Sequence, residues 1–312
     1  MGKYKISLVV PIYGVEKYIR QFAESALGQT YDCIQFVFVN DGTKDRSMDI
    51  LNEVIDSGFS YRRPDIIIVD KQNEGLPLAR KTGLEHAEGE YVLFADSDDW
   101  LEKDAVEKIM AAADETNADI IYFDLVKEYG DKVSIKRERD YTADTKGQFI
   151  VNIFNYKSQG YTVTKCFRKK LYEDHDIHHP VVGMHEDICL MSQLIFHAES
   201  LHHLKEVLYH YRKDNPDSFC AQDRKRRHIA SSVNMLDLYS YYREILDESP
   251  LKDVAGGILM RAGWHSMIHG HDFFKEHSFL AEDIVKSRLS TGYRLPLVAQ
   301  LIVKIKALFQ KI

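Results

Sequence analysis

The chain has 312 residues, of which 45% are hydrophobic and 29% charged, so it can bury the core of one large globular domain or two smaller ones. Its 41 basic and 48 acidic side chains give a net charge of −7, which argues against nucleic acid as the main partner. The four cysteines form no Cys-x-x-Cys pair and no apolar run reaches the ~20 residues that span a bilayer, so we expect a reduced, cytoplasmic protein without a zinc site or a disulfide framework.

Short apolar runs alternate with segments of helical periodicity along the first 125 residues. Five short apolar runs predict strands: 6–10, 34–39, 66–69, 91–95 and 119–123. The first of them is rich in β-branched residues and predicts a buried strand. The segments between them place apolar side chains at the i, i+3, i+4 and i+7 spacing of an amphipathic helix. Because strands that alternate with helices of about ten residues form βαβ units, we predict an α/β fold with a mainly parallel sheet flanked by helices.

The pattern changes in the second half of the chain. Residues 127–160 are polar and mixed, and they are followed by predicted strands at 161–167 and 204–211 and by a predicted helix at 185–198. Asn215-Pro216-Asp217 interrupts the chain, and the sequence from Gln222 onward has helical periodicity. We therefore predict a first domain over 1–218 and a helical C-terminal region over 219–312.

Polar and acidic side chains stand where the predicted parallel strands end. In open sheets of this kind the ligand binds at the carboxyl ends of the strands. Those ends carry Pro11-Ile12-Tyr13, Asn40-Asp41, Asp70 and Asp96-Ser97-Asp98-Asp99. A single Asp at such a place commonly caps the following helix, but acidic residues at three strand ends together favour a ligand site.

The segment Asp96-Ser97-Asp98-Asp99-Trp100 is the strongest signal of chemistry. A turn can bring the carboxylates of Asp96 and Asp98 around one hard cation, whose remaining ligands would be phosphate oxygens. A helix cap or a solvated turn is the alternative for an isolated acidic tetrapeptide. Its position directly after a buried strand favours a site for a metal ion and a phosphate.

Two common nucleotide-binding motifs are missing from the sequence. No Gly-x-Gly-x-x-Gly follows the first predicted strand, and no Gly-x-x-x-x-Gly-Lys-Ser/Thr loop is present. The first strand also lacks the Gly-rich, Arg-containing loop that a nucleotidyltransferase making activated sugars would use. Dinucleotide binding and P-loop chemistry are therefore not expected.

The ordered motifs of the first 125 residues resemble the family 2 glycosyltransferases, which have the A-type, Rossmann-like nucleotide-sugar fold. The motifs that carry the resemblance are VVPIYGVEKYI (9–19), QTY (29–31), FVNDGTKDRS (38–47), NEGLPLARKTGLEHAEGEY (73–91) and LFADSDDW (93–100). A weaker likeness continues through KCFRKKLY (165–172), HEDICL (185–190) and VLYHYRKDNPDS (207–218). Each motif is common alone, whereas all of them in this order are highly specific.

The resemblance implies roles for the residues at the strand ends. Pro11, Tyr13 and Asp41 would hold the nucleobase, since Tyr13 offers a ring for stacking and Asp41 an acceptor for the imide N–H of uracil. Arg80 would contact a base carbonyl or a phosphate. By the same likeness, Asp96 would bind the ribose and Asp98 the metal ion, Mn²⁺ or Mg²⁺.

A second set of residues would complete the reaction. The family's Glu-Asp pair, here Glu186 and Asp187, supplies the general base; we expect Asp187 to be that base and Glu186 to be its alternate. Acidic residues in the first turn also stabilise a helix through its dipole, so a purely structural role is the alternative interpretation of this pair. His210 and Arg212 would assist at the metal and the diphosphate. For His210, an ordinary strand histidine is an equally good interpretation.

Four histidines, His175, His178, His179 and His185, precede the Glu-Asp pair. They could form a metal site, but a polar loop that contacts the acceptor is the interpretation we favour.

The last segment of the chain is basic and apolar. Residues 284–312 hold six Lys or Arg and no acid, and the apolar side chains of 294–312 fall on one helical stripe. A basic amphipathic helix on an acidic protein is typical of docking to the cytoplasmic face of an anionic membrane. A helix packed on the protein core or at the seam of a homodimer is the alternative.

These observations predict an inverting, metal-dependent glycosyltransferase. It would move a sugar from a UDP-linked donor to a hydroxyl of a glycan or a lipid-linked saccharide in surface polysaccharide synthesis. A nucleotidyltransferase that makes activated sugars and a non-catalytic protein that binds sugar nucleotides or glycans are the alternatives.

Overall fold

The computed structural model describes residues 3–216, 224–245, 252–268, 283–285 and 297–309. The chain forms two compact units. The first comprises Met1–Lys146, Tyr161–Ile177 and Gln193–Ser218, and the second comprises Gly147–Gly160, His178–Ser192 and Phe219–Ile312. Two segments from within the predicted first domain thus belong to the second unit, and the division into domains at 218 stays a prediction.

The first unit is built on one mixed sheet. Its strands are β1 (Ile6–Ile12), β2 (Ile34–Asn40), β3 (Ile66–Asp70), β4 (Tyr91–Phe94), β5 (Trp100–Leu101), β6 (Ile120–Tyr129), β7 (Lys132–Lys136), β8 (Lys165–Arg168) and β9 (Leu201–Arg212). They are ordered β3-β2-β1-β4-β8-β6-β9-β5, with β7 paired to β6. Strands β1 to β4 are parallel to one another, whereas β8 joins them to β6 by antiparallel pairing.

The helices, apart from α5 and the short α6, lie near positions at which the periodicity predicts a helix. They are α1 (Ile19–Leu27), α2 (Ser47–Gly58), α3 (Leu76–Glu85), α4 (Ala105–Thr116), α5 (Lys146–Phe154), α6 (Lys170–Glu173), α7 (Glu186–His197), α8 (Arg224–Ile245), α9 (Lys252–Ile268) and α10 (Leu297–Phe309). The predicted α/β fold with a sheet flanked by helices and a helical C-terminal region is confirmed. The ends of the last predicted helix, 294–296 and 310–312, lie outside the described residues.

Strand β1 shows why the sheet forms and where it opens. All seven of its residues are buried, because β2 and β4 flank it and helices cover the sheet, which matches its uninterrupted apolar sequence. Strand β4 pairs only with Ile6–Val9, so β1 continues beyond the end of β4 and Pro11 interrupts no ladder on that side. The neighbours β2 and β4 lie on opposite sides of β1, which makes its carboxyl end a topological switch point.

The sequence pattern did not predict β5, β7 or α5. Strand β7 forms a hairpin with β6 through Gly130 and Asp131, and Gly130 has a φ of 62° that suits such a tight turn. Its Val133 and Ile135 are exposed, so the strand lacks the buried apolar face on which the prediction of strands relied.

The C-terminal helices belong to the second unit. Helix α10 packs on α9 and buries Ala299, Val303 and Ala307, whereas its Leu301 and Ile302 are exposed. Among the described residues, no helix is both long enough and apolar enough to cross a bilayer.

Candidate functional site

The end of β2 is fixed to a neighbouring loop by Asp41. The Asp41 backbone N–H donates to the Ile12 carbonyl at 3.0 Å, which ties it to β1. Its buried carboxylate accepts hydrogen bonds from Lys71 Nζ at 3.2 Å, from the Glu74 N–H at 3.1 Å and from the Gly75 N–H at 2.9 Å. The carboxylate therefore orders the loop before α3.

Tyr13 follows β1 directly and is 54% exposed. The next residue, Gly14, has a φ of 68°, and its N–H donates to Thr43 Oγ1 at 2.9 Å. This bond holds the turn after β1 against the turn after β2. The side chain of Tyr13 is thus accessible from solvent, as stacking on a planar ligand requires.

Arg80 and Asp96 form an ion pair at the end of β4. Arg80 Nη2 lies 2.6 Å from Asp96 Oδ1, and the Arg80 guanidinium lies over the Phe94 ring at 5.9 Å from its centroid. Arg80 is buried and Asp96 is partly exposed. Helix α3 therefore delivers a fixed cation to the first acid of the acidic segment.

The acidic segment is a tight turn held by groups from two strands. The Ser97 hydroxyl donates to the Pro11 carbonyl at 2.7 Å, which links the turn to β1. From β9, the hydroxyl of Tyr209 accepts the Asp96 N–H at 3.0 Å and donates to Asp99 Oδ2 at 2.8 Å. Asp99 is fully buried, and burial, with the nearby charges of Asp98 and Asp96, raises its pKa well above the ordinary value.

Asp98 is the acid of this turn that best fits a metal ion. Its Oδ2 accepts a hydrogen bond from Asn215 Nδ2 at 2.8 Å, and burial, reinforced by the Asp96 carboxylate, raises its pKa. A divalent cation would offset both effects. No group of three or more His, Cys, Asp or Glu side chains forms a metal cage in the described parts of the chain. One carboxylate completed by phosphate oxygens and water is nevertheless the ordinary Mg²⁺ arrangement, so the residues fit a cation that arrives with a diphosphate.

Arg212 at the end of β9 braces the same turn. Its N–H donates to Asp99 Oδ1 at 2.7 Å, its Nε donates to the Asp98 carbonyl at 2.8 Å, and its guanidinium stacks over the rings of Tyr18 and Trp100. The predicted contact of Arg212 with a diphosphate stays a prediction. In the structure it supports the backbone on which Asp98 lies.

His210 on β9 lies between two carboxylates and an aromatic ring. Its Nδ1 lies 2.9 Å from Glu128 Oε1, its Nε2 lies 2.8 Å from Glu102 Oε1, and its ring stacks on Trp100. Both ring nitrogens are thus engaged by carboxylates. The predicted role of His210 at the metal stays a prediction, as does the alternative of an ordinary strand histidine.

Glu186 and Asp187 belong to the second unit and begin helix α7. Glu186 Oε2 accepts the Met184 N–H at 2.9 Å, and Asp187 Oδ1 accepts the Ile188 N–H at 2.8 Å. Both residues are partly exposed. The carboxylates are therefore held by backbone N–H groups at the start of the helix, a place where negative charge is favoured.

The four histidines before this pair do not share one set of contacts. His175 stacks on His197, His178 lies 3.3 Å from Asp237, and His185 contacts Tyr156 and Ser231. The structure thus gives three of them different neighbours, which does not favour a metal site.

The sequence predicted no role for Tyr209, Asn215 or Lys71, and it did not predict the structural role of Asp99. A buried tyrosine usually needs a partner for its hydroxyl, so Tyr209 in a predicted strand carried a signal that something polar lies beneath it. Asn215 indicated only an interruption of the chain. The pairing of Tyr209 with Asp99 was not predictable, because the two residues are 110 residues apart in sequence.

Comparison with known proteins gives a consistent result. The model of the family described as "Glycosyl transferase family 2" matches residues 7–189. EpsH of Bacillus subtilis is 33% identical over 214 residues, which are 66% of this chain and 60% of that protein. TarS of Staphylococcus aureus, named as a poly(ribitol-phosphate) beta-N-acetylglucosaminyltransferase, is 28% identical over 253 residues, 78% of this chain and 40% of TarS. The chain therefore spans less than two thirds of the length of these relatives.

Solved structures share the fold. The crystal structure of TarS residues 1–349 in complex with UDP-GlcNAc has a TM-score of 0.70 at 20% identity and covers 97% of this chain and 89% of that one. The mannosyltransferase PcManGT of Pyrobaculum calidifontis, solved with GDP-Man and Mn²⁺, has a TM-score of 0.53 at 14% identity and covers 99% of this chain and 88% of that one.

Proposed function

The chain belongs to glycosyltransferase family 2, and we propose that it transfers a hexosyl group from a UDP-linked sugar. The acceptor is a hydroxyl of a glycan or lipid-linked saccharide, and the configuration at the anomeric carbon is inverted. One observation carries the proposal. The acidic turn 96–99 is bonded through Ser97 to the Pro11 carbonyl and through Asp96 to Arg80, and it lies beside the switch point of the sheet, where such folds bind nucleotides. The UDP-GlcNAc complex of TarS supports a UDP-linked donor. The name of TarS supports a role in cell-surface polymer synthesis.

The donor would lie across the ends of β1, β2 and β4. Tyr13 stacks on the base, and Asp41 accepts the imide N–H of uracil at the lone pairs that its loop contacts leave open. Asp96, held in place by Arg80, accepts hydrogen bonds from the ribose hydroxyls. Arg80 in turn lends positive charge to the half of the site that receives the nucleotide.

Asp98 would hold a divalent cation, Mn²⁺ or Mg²⁺, together with the donor's phosphates. When bound, such a cation supplies Lewis-acid stabilisation of the negative charge on the departing diphosphate. The contribution of the chain is to keep the Asp98 carboxylate in place, through Asn215 at its Oδ2 and Arg212 at its carbonyl. The Mn²⁺ in PcManGT supports this role for a cation.

The acceptor would be activated by Asp187, with Glu186 as the alternate. The Asp187 carboxylate accepts the proton of the acceptor hydroxyl as its oxygen forms a bond to the anomeric carbon. The bond from that carbon to the diphosphate oxygen breaks with its electron pair on the diphosphate. Attack from the face opposite the leaving group inverts the configuration and forms no covalent intermediate with the enzyme.

The proposal is tested by a donor screen. Thermal shifts with Mn²⁺ and UDP-, GDP- and dTDP-linked sugars identify a donor, because a ligand that binds only the folded state raises the melting temperature. The donor is then incubated with saccharide acceptors, and nucleotide release and the anomeric configuration of the product are measured. We expect a UDP-sugar to be bound and consumed with inversion. Binding without turnover would favour a non-catalytic sugar-nucleotide protein. Release of pyrophosphate in a separate incubation with UTP and a sugar 1-phosphate would indicate a nucleotidyltransferase.

The C-terminal helix α10 would bring the protein to a membrane-bound acceptor. Lipid-linked saccharides lie at membranes, and α10 presents Leu301 and Ile302 to solvent in a segment that has six basic residues and no acid. Lys304 donates to the Val285 carbonyl at 2.8 Å, so at least one of these charges is tied to the protein. We propose that this face docks on the cytoplasmic face of an anionic membrane, with a second copy of the chain as the competing occupant.

A further inference from the structure

Two consecutive residues before the Glu186-Asp187 pair have left-handed backbone conformations. The φ angles are 99° at Met184 and 61° at His185. Residues other than glycine rarely adopt such angles, and bulky ones do so only where the surrounding structure holds them. Something must therefore fix the Met184–His185 turn in this shape.

The ring of His185 is held from two sides. Its Nδ1 lies 2.7 Å from Ser231 Oγ on α8, and its Nε2 lies 3.0 Å from the hydroxyl of Tyr156. The His185 carbonyl accepts the Cys189 N–H at 3.0 Å, which is a first-turn bond of α7. The orientation of the His185 ring is thus coupled to the start of the helix that carries the Glu-Asp pair.

A second residue of α8 fixes the backbone of the same turn. Asn234 is buried, and its side-chain amide donates to the carbonyls of Val182 at 2.7 Å and Met184 at 2.9 Å. The N–H of Met184 donates to Glu186 Oε2. A continuous set of hydrogen bonds therefore runs from α8 through the left-handed turn to a carboxylate of the pair.

We propose that His185 is a positioning residue: held by Tyr156 and Ser231, it sets the place of the Glu186 and Asp187 carboxylates and exchanges no proton with the substrate. This inference rests on the proposed function, in which Asp187 accepts the proton of the acceptor. A general base must lie within hydrogen-bond reach of that proton, and a displacement of about 1 Å lowers the rate about 100-fold. The strain in the turn is retained because it delivers the carboxylates to that place.

The test uses His185→Ala and His185→Asn in the full chain. Asparagine tolerates the left-handed conformation, and its amide can occupy the position of the ring Nδ1 near Ser231. We expect His185→Ala to lower kcat about 100-fold while the KM for the donor stays within about twofold, because the residues proposed to bind the donor belong to the first unit. His185→Asn should recover most of that kcat. A crystal structure of His185→Ala should show Met184 outside the left-handed region and the two carboxylates displaced.

Tyr156→Phe is the milder variant, since Tyr156 is exposed and only its hydroxyl is removed. We expect about a fivefold loss of kcat with unchanged donor KM, and no loss in the matched Tyr129→Phe on β6. Wild-type kcat in His185→Ala, or a donor KM that rises as kcat falls, would overturn the positioning role. Wild-type turnover in Asp187→Asn would instead overturn the base assignment of the proposed function, so the two failures are distinct.

Discussion

The hydroxyl of Tyr209 donates a 2.8 Å hydrogen bond to Asp99 Oδ2, and both side chains are completely buried beneath the acidic turn. The same hydroxyl accepts the Asp96 N–H, so one oxygen of β9 joins the first and last acids of the turn. The positions of Asp96 and Asp98 therefore depend on a residue that contacts no ligand in the proposed reaction.

Tyr209→Phe removes this hydroxyl and keeps the aromatic ring. It leaves a buried carboxylate oxygen and a backbone N–H without their partner, so we expect the free energy of unfolding to fall by about 1–3 kcal/mol. Urea unfolding of both proteins measures the difference. Tyr61→Phe, at an exposed tyrosine, is the matched control and should change the stability little. Equal free energies of unfolding for Tyr209→Phe and the wild type would show that the hydrogen bonds of the Tyr209 hydroxyl do not stabilise the protein.

The strands β1, β2 and β4 were predictable from sequence because all their residues except Asn40 at the end of β2 are buried, so their apolar runs are uninterrupted. The acids at the strand ends were predictable for the same reason, since the fold places those ends together. The bracing of the turn was not predictable, because it joins Asp99 to Tyr209 and Asp98 to Asn215 across more than a hundred residues. The two carboxylate partners of His210 were not predictable either, because Glu128 and Glu102 are distant from it in sequence and meet it only in the folded chain.

Arg80→Lys keeps a positive charge but loses the planar guanidinium that reaches Asp96 over the Phe94 ring. A hydrogen bond to a charged group is worth about 1.5–3 kcal/mol, so we expect the affinity for UDP to fall about 10- to 100-fold. Isothermal titration measures it. Lys81→Ala, at the exposed neighbouring residue, is the control for loss of charge. An unchanged affinity in Arg80→Lys would remove Arg80 from the donor site.

His197 predicts part of the dependence of stability on pH. Burial, with the nearby charges of His175 and Lys146, lowers the pKa of His197 from its ordinary 6.5 to about 4. The unfolded chain therefore binds a proton that the folded chain does not bind between those values. This contribution to stability is complete above pH 6.5 and is lost as the pH falls toward 4.

His197→Phe keeps an aromatic ring beside His175 and removes the titrating group. We expect its melting temperature to fall less than that of the wild type between about pH 7.5 and about pH 4.5. His86→Gln, at an exposed histidine, serves as the control and should follow the wild type. Parallel curves for His197→Phe and wild type would contradict the pKa assignment.

Leu301→Asn combined with Ile302→Asn tests the exposed face of α10. Binding to vesicles of phosphatidylcholine with about one third phosphatidylglycerol should weaken at least about fivefold, because two apolar side chains no longer enter the lipid interface. Ile135→Asn, at an exposed residue of β7, is the matched control. Unchanged vesicle binding contradicts the membrane proposal. Loss of a dimer in sedimentation of the double variant would assign the face to a second copy of the chain.

In the proposed reaction, the acids of this turn bind a nucleoside diphosphate together with a divalent cation. The decisive measurement is a titration of UDP into the wild type, Asp98→Asn and Asp187→Asn, each with Mn²⁺ and with EDTA. The wild type and Asp187→Asn should bind UDP in Mn²⁺ and weakly in EDTA, whereas Asp98→Asn should bind weakly in both. Equal UDP affinity in Mn²⁺ and in EDTA, unaffected by Asp98→Asn, would contradict the account.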